Sequence, residues 1–377
     1  MKINIDEILK KFGRITSSGD FVPEIDGLRF FAVISVVLFH INEYILSHCS
    51  QAVKLQAEKS FLNVLLGQGH YGVPLFFVIS GFILSQQFAQ KCVTKGTVFP
   101  LTKYYLRRIT RLEPPYFANL IIIFFFMIYI SGENVWTLIK HLFFSLFYLH
   151  NAVYYDQSLI NGVAWSLEVE VQFYLIAPFL SLIFLLKSKF LRRAILSLAI
   201  ILFAFFFGTR EYHLFFVGSA NYLFAGFLLT DIYLFDWKRK VEKSKFFDFI
   251  GIILAFVILF IMISKIYQKI LLPFLFLFLY ICFFRGTFLN KIAINKYLLT
   301  IGGMCYTTYL YHFQFVSLLG RIQHKFFHLQ DYHSIVLSEI IISVPIVVIC
   351  CAFLFKSLEK PFMVRDWHLK LIQKLKR

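Results

Sequence analysis

No CxxC pair and no cysteine–histidine spacing suited to a metal occurs in the sequence. Its six cysteines (Cys49, Cys92, Cys282, Cys305, Cys350, Cys351) sit mostly in or beside apolar runs. They read as packing residues, which excludes a disulfide framework, and no metal is expected. Acidic side chains are scarce too, with 21 Asp and Glu against 38 Lys and Arg. A formal charge of +17 would suggest nucleic acid, but the cations fall in short loops between apolar runs, so no nucleic-acid partner is expected. There is no internal repeat, no low-complexity linker and no stretch that reads as a soluble domain. The first apolar run lacks a small-residue cleavage site and is expected to be an uncleaved anchor. In excess are apolar side chains: 59% of residues are hydrophobic and 49 are Phe, more than a soluble core can hide. Membrane lipid is the expected solvent and partner.

Ten runs are long enough to cross about 30 Å of hydrocarbon. They centre on 28–46, 71–87, 116–130, 165–186, 191–207, 214–235, 246–264, 270–284, 297–320 and 335–355. The expected fold is therefore an all-α integral membrane protein, a polytopic bundle of about ten transmembrane helices. A further run, 136–149, is short and carries Lys140 and His141, which leaves it either spanning or re-entrant. If it does not cross, 29 Lys and Arg lie on the side of the termini and 8 on the other; if it crosses, the division is 15 against 21. The positive-inside rule favours the first arrangement, with both termini cytoplasmic.

Charged and imidazole groups inside such runs cost several kcal/mol on insertion scales of about 2.5–3.5 kcal/mol per charge, so each raises a functional question. Arg29 and His40 lie in the first run. Eleven residues at about 100° each are three turns plus about 20°, which puts both on one helix face about 16 Å apart. Arg29 snorkelling to phosphates and His40 bonding a neighbouring helix would also account for them. The second run holds Pro74, Ser80 and Gly81, small or special residues that let a helix or thin ligand approach. Arg107, Arg108 and Arg111 follow it, at i, i+1 and i+4, a fork suited to phosphate oxygens or to anionic lipid. The fourth run opens Trp165-Ser166-Leu167-Glu168-Val169-Glu170 and continues to Gln172 and Tyr174. At i and i+2 the two glutamates point about 200° apart, so only one is expected to face a site. The ninth run adds the stripe Tyr306-Thr307-Thr308-Tyr309-Leu310-Tyr311-His312.

Taken in order, these residues resemble acyltransferase family 3, bacterial inner-membrane enzymes that acylate surface and cell-wall glycans. The resemblance covers nearly the whole chain. It rests on Arg29 with His40, the Gly72-Val-Pro-Leu-Phe-Phe-Val-Ile-Ser80-Gly81 run, Arg108 with Arg111, the Trp165-Ser-Leu stretch through Tyr174, Tyr309-Leu-Tyr-His312, and Glu359-Lys-Pro361. Where this chain has Pro74 the family often has aspartate, and where it has Val171 often a second glutamate, so no role is carried over for those carboxylates.

The resemblance implies a membrane O-acyltransferase with acyl-CoA, in particular acetyl-CoA, as donor and a glycan or lipid-linked saccharide as acceptor. His40, Glu170 and Arg29 are the expected catalytic residues. His40 is the general base, and an acyl-histidine intermediate stays open; Glu170 orients the imidazole or binds the sugar. Arg107, Arg108, Arg111 and Ser80 are expected at the donor, and Trp165, Ser166, Glu168, Tyr309 and His312 at the acceptor. The expected divisions are a cytoplasmic tail 1–27, a transmembrane acyltransferase domain 28–356 and a basic cytoplasmic tail 357–377. The hydrolase-like domain that some members carry is lacking, so this membrane domain or a partner is expected to complete the transfer. The oligomeric state stays open. The competing class is a secondary transporter of an anionic or acylated small molecule, which ten spans and midplane polar groups would also fit. No matching broken helices in the two halves point to it.

Overall fold

Hydrocarbon cannot hydrogen-bond a peptide group, so apolar runs of this length must satisfy their backbone internally, and they do so as helices. The computed structural model describes residues 5–15, 21–95, 101–130, 132–208, 212–237, 240–326, 329–364 and 367. Among these there is no strand. The helices are α1 (Ile5–Phe12), α2 (Pro23–His48), α3 (Gln51–Glu58), α4 (Phe61–Gly67), α5 (Gly72–Lys95), α6 (Leu101–Ile130), α7 (Val135–Leu146), α8 (His150–Tyr154) and α9 (Trp165–Leu180). They continue with α10 (Lys189–Phe207), α11 (Phe216–Asp231), α12 (Lys245–Ser264), α13 (Gln268–Arg285), α14 (Phe288–Ala293), α15 (Lys296–Gly303), α16 (Cys305–Phe326) and α17 (Tyr332–Leu354). Starts follow local chemistry: Pro23 opens α2 with Glu24 and Asp26 in its first turn, and Asn134, Ser188, Ser244 and Asp331 cap α7, α10, α12 and α17.

Eight helical stretches among the described residues are long and apolar enough to cross a membrane, which makes this a multi-pass membrane protein. All ten expected runs are helical, but two fall short as single apolar spans. The run 214–235 is α11, only 16 residues, continued by a π-helical turn, Ile232–Asp236. The run 297–320 is broken at Met304 into α15 and α16, after the successive glycines Gly302 and Gly303. Gly302 has no room for a side chain, because a Cβ there would run into the Asp26 carbonyl of α2. The run 136–149 holds α7, whose 12 residues cover about 18 Å, less than a bilayer core. His141 Nδ1 donates to His150 Nε2 at 2.6 Å, tying α7 to α8, and His150 Nδ1 donates to the Asp156 carbonyl at 3.1 Å. The expected N-terminal tail 1–27 already contains α1 and the first turn of α2, which Pro23 starts early. Of the expected C-terminal tail, 365–366 and 368–377 lie outside the described residues.

The chain divides into two compact units. One comprises 1–73, 110–119 and 293–377; the other comprises 74–109 and 120–292. Within the first, α2 packs on α15, α16 and α17. Within the second, α11 packs on α9, α10 and α13, and α12 on α13. In that unit α5 and α11 cross at Gly81 and Gly226, where a Cβ on either would strike the other helix's backbone, at Leu223 and Val78 respectively.

Prolines inside helices each delete one N–H and free the carbonyl four residues back. Pro114 frees Thr110, whose oxygen takes the Trp367 indole N–H at 2.9 Å. Pro178 frees Tyr174, whose oxygen takes the Tyr104 hydroxyl at 3.1 Å. Pro273 frees Lys269, whose oxygen takes Asn221 Nδ2 at 2.9 Å. These side-chain donors therefore set helix register as well as satisfying backbone. Asn221→Leu is expected to lower thermal stability in detergent by about 1–3 kcal/mol, the cost of an orphaned buried acceptor. In a Pro273→Ala background, where the helix supplies its own N–H, the same substitution should cost clearly less, and equal costs in the two backgrounds would refute the explanation.

Candidate active site

In the first unit, α2 carries the long-spaced pair. Arg29 does not stand alone at its end of the helix: its Nη1 bonds Asp26 Oδ1 at 2.7 Å, and Arg14 Nε reaches Asp26 Oδ2 at 2.8 Å. Asp26 is only 2% exposed, so both guanidinium groups are turned inward toward it. Burial and then the charge of Arg29 pull the Arg14 guanidinium down to about 10, while Asp26 acts the other way. Arg111 lies within electrostatic range of Arg14 and of buried Glu359, whose carboxylate holds Thr307 by its N–H and hydroxyl. Three arginines against two carboxylates leave an excess positive charge at this end of α2, a favourable setting for a phosphate-bearing molecule.

Further along α2, His40 faces His312 of α16, with ring centroids 5.1 Å apart and planes inclined by 44°. Phe39 and Phe313 pack edge-on against the His40 ring, an apolar collar. His312 is fully buried. Its Nδ1 meets the carbonyl oxygens of Tyr309 at 2.7 Å and Thr308 at 3.2 Å, and its Nε2 has no hydrogen-bond partner among the described residues. Sequence spacing placed Arg29 and His40 on one helix; the structure adds His312 to His40, and Asp26 and Arg14 to Arg29.

In the second unit, Ser80 of α5 donates to Glu170 Oε1 of α9 at 2.7 Å. The Glu170 carboxylate also faces the Tyr174 hydroxyl one turn on, and the Arg108 guanidinium lies over the Tyr174 ring at 5.0 Å and the Tyr104 ring at 5.7 Å. The order Arg108, Tyr174, Glu170, Ser80 thus joins a residue expected at the donor to one expected in catalysis. Glu168 is employed differently. Its buried carboxylate accepts the Asn151 N–H at 2.8 Å, and Asn151 Nδ2 bonds the carbonyls of Trp165 and Leu214. Gln172, one turn on, accepts the Phe216 N–H at 2.8 Å. Glu168 and Gln172 therefore hold α9 to its neighbours from one face while Glu170 occupies another. The Trp165 ring packs edge-on to His213, and Ser166 is buried beside it in sequence. Arg107 and Arg108 are half-buried near one end of α6.

Asp26, Arg14 and Asn151 were not singled out by sequence. For Asp26 the signal was present, an acid three residues before Arg29 on a helix. For Asn151 there was none, since its partner Glu168 lies 17 residues away across an irregular segment. Among the described residues no cluster of three metal-ligating side chains occurs.

A family model described as an acyltransferase domain matches residues 22–356. The peptidoglycan O-acetyltransferase OatA of Listeria monocytogenes serovar 1/2a is 30% identical over 179 residues, 45% of this chain and 25% of that protein. The O-acetyltransferase OatA of Staphylococcus aureus strain NCTC 8325 is 27% identical over 341 residues, 81% of this chain and 53% of that protein. The chain spans about half the length of the Staphylococcus aureus relatives it matches. No solved structure matches it.

The division of labour on α9 is testable by stability. Glu168→Ala strands the buried Asn151 N–H and is expected to lower the melting temperature by the equivalent of about 1–3 kcal/mol. Glu170→Gln keeps a hydrogen-bonding group at Ser80 and should leave the melting temperature near that of wild type. The reverse ranking would show that Glu170, not Glu168, is the structural carboxylate.

Proposed function

The chain belongs to acyltransferase family 3, and on that premise we propose that it is an O-acetyltransferase moving an acyl group from acyl-CoA to a hydroxyl of a cell-surface or cell-wall glycan. The observation that carries the reading is the acyltransferase match over 22–356 together with His40 placed some three turns along α2 from the Arg29 cluster. The names of the OatA relatives, one of them a peptidoglycan O-acetyltransferase, favour acetyl as the group and a cell-wall glycan as the acceptor.

The donor in this reading is acetyl-CoA, approaching from the cytoplasm of a bacterial inner membrane. Arg111 and Arg29, both in the first unit, take its phosphates by charge-assisted bonds, with Arg107 and Arg108 one turn before Arg111 on α6. The pantetheine arm then runs along α2 and presents the thioester at His40. His40 removes the proton of the acceptor hydroxyl as its oxygen bonds the acyl carbon, and the proton is returned to the departing sulfur. Glu170, held by Ser80, is proposed for a hydroxyl of the sugar, and Trp165, Ser166 and Tyr309 for the acceptor, each on the family resemblance alone. Ten crossings with both termini in the cytoplasm fit the distribution of cations, and they put donor and acceptor on opposite faces. The acyltransferase match favours this enzyme over a carrier.

Purified protein with radiolabelled acetyl-CoA and an N-acetylhexosamine oligosaccharide tests the reading. His40→Ala is expected to lose transfer by at least about 10²-fold, the low end for a general base, while still binding acetyl-CoA. The Arg108→Ala and Arg111→Ala double variant should instead lose affinity, each charge-assisted contact contributing about 1.5–3 kcal/mol. Near-normal acylation by His40→Ala would sink the mechanism. The orientation has its own test. Tyr155→Cys, at a residue 71% exposed, should be labelled by an impermeant thiol reagent outside intact cells in a Cys49→Ser background, and Lys240→Cys should be protected. The opposite pattern would invert the topology.

A further inference from the structure

His312 is more ordered than packing requires. Carbonyl oxygens only accept, so the contacts of Nδ1 with Tyr309 and Thr308 mean that Nδ1 carries a hydrogen, and in the neutral ring Nε2 then holds a lone pair. That lone pair is buried and unpartnered, which is unfavourable in an interior and calls for an explanation. Two polar rings pack against His312, that of His40 at 5.1 Å between centroids and, from its own helix, that of Tyr309 at 5.7 Å. His141 and His150 supply the scale: with centroids 4.8 Å apart, that pair holds an N–H···N bond of 2.6 Å. His40 and His312, at 5.1 Å, are only 0.3 Å farther apart between centroids. Phe39 and Phe313, the other rings against His40, offer no polar atom to compete.

We propose that His312 is a positioning residue for acyl transfer, its Nε2 accepting the N–H of His40 so that the other His40 nitrogen presents its lone pair to the acceptor hydroxyl. This rests on the reading of His40 as the base. As the hydroxyl oxygen bonds the acyl carbon, its proton passes to that nitrogen, and the proton on the opposite nitrogen passes to His312 Nε2. His312 then holds hydrogens on both nitrogens, with its charge facing the Tyr309 and Thr308 carbonyls. When the carbon–sulfur bond breaks, both transfers reverse and the thiolate leaves as the thiol. Both histidines end neutral, and two protons are in flight in each half of the reaction.

Single-turnover transfer from radiolabelled acetyl-CoA to an N-acetylhexosamine oligosaccharide, measured across mixtures of H2O and D2O, tests this. The wild-type rate should fall along a curve with deuterium fraction, the mark of two moving protons. His312→Gln, which accepts a hydrogen bond but passes no proton on, should transfer about 10²-fold more slowly with unchanged KM for acetyl-CoA and a straight-line dependence. A straight line in the wild type overturns the proposal without reference to any variant, so misfolding of His312→Gln cannot conceal failure. An equally curved dependence in a folded His312→Gln protein overturns it as well. A wild-type protein that transfers no acetyl group at all would instead remove the acetyltransferase reading, and this role with it.

Discussion

Inside hydrocarbon there is no water to answer a stranded polar group, and the arrangement of this protein follows from that shortage. Pro178 and Pro273 each leave a carbonyl without its helical donor, and Tyr104 and Asn221 reach across to supply one. The same rule governs side chains. Asn42 is held by Asn63 and Tyr332, Glu339 by Gln323 and Ser343, and Glu168 by the Asn151 N–H. Polar groups that would be incidental on a soluble surface here fix which helix faces meet and at what height.

Against that background a few buried polar atoms stay without a hydrogen bond among the described residues, and His312 Nε2 is one of them. His312 has one nitrogen committed to backbone carbonyls and the other facing His40 without a bond. Charge is handled in the opposite way at the Arg29 end of α2. Asp26 draws Arg29 and Arg14 inward, so a cluster that would otherwise repel itself is preassembled, and the surplus positive charge remains to meet an anion.

Much of this was legible in the residues alone. Apolar runs gave the helices, and the spacing of Arg29 and His40 gave a shared face. The i, i+2 geometry set Glu168 and Glu170 on different faces but could not say which one met Ser80, because that depends on how α5 and α9 are rotated. The break at Met304 lies inside an apolar run that gave no sign of it; the steric demand at Gly302 comes from Asp26, distant in sequence. The tautomer of His312 was out of reach for a different reason. It is set by the position of two backbone oxygens, and no side-chain identity encodes it.

The crossing of α5 and α11 carries a consequence for how the enzyme can vary. Ser80 immediately precedes Gly81, where main chain meets main chain with no side chain between them. A serine so placed inherits its coordinates from the crossing, much as a tooth on a gear is located by the shaft. Sequence variation should therefore accumulate on the side chains around Ser80 and spare the two glycines. Any lineage that replaced one of them would have to rebuild the neighbouring helix before it could keep the carboxylate of Glu170 in register.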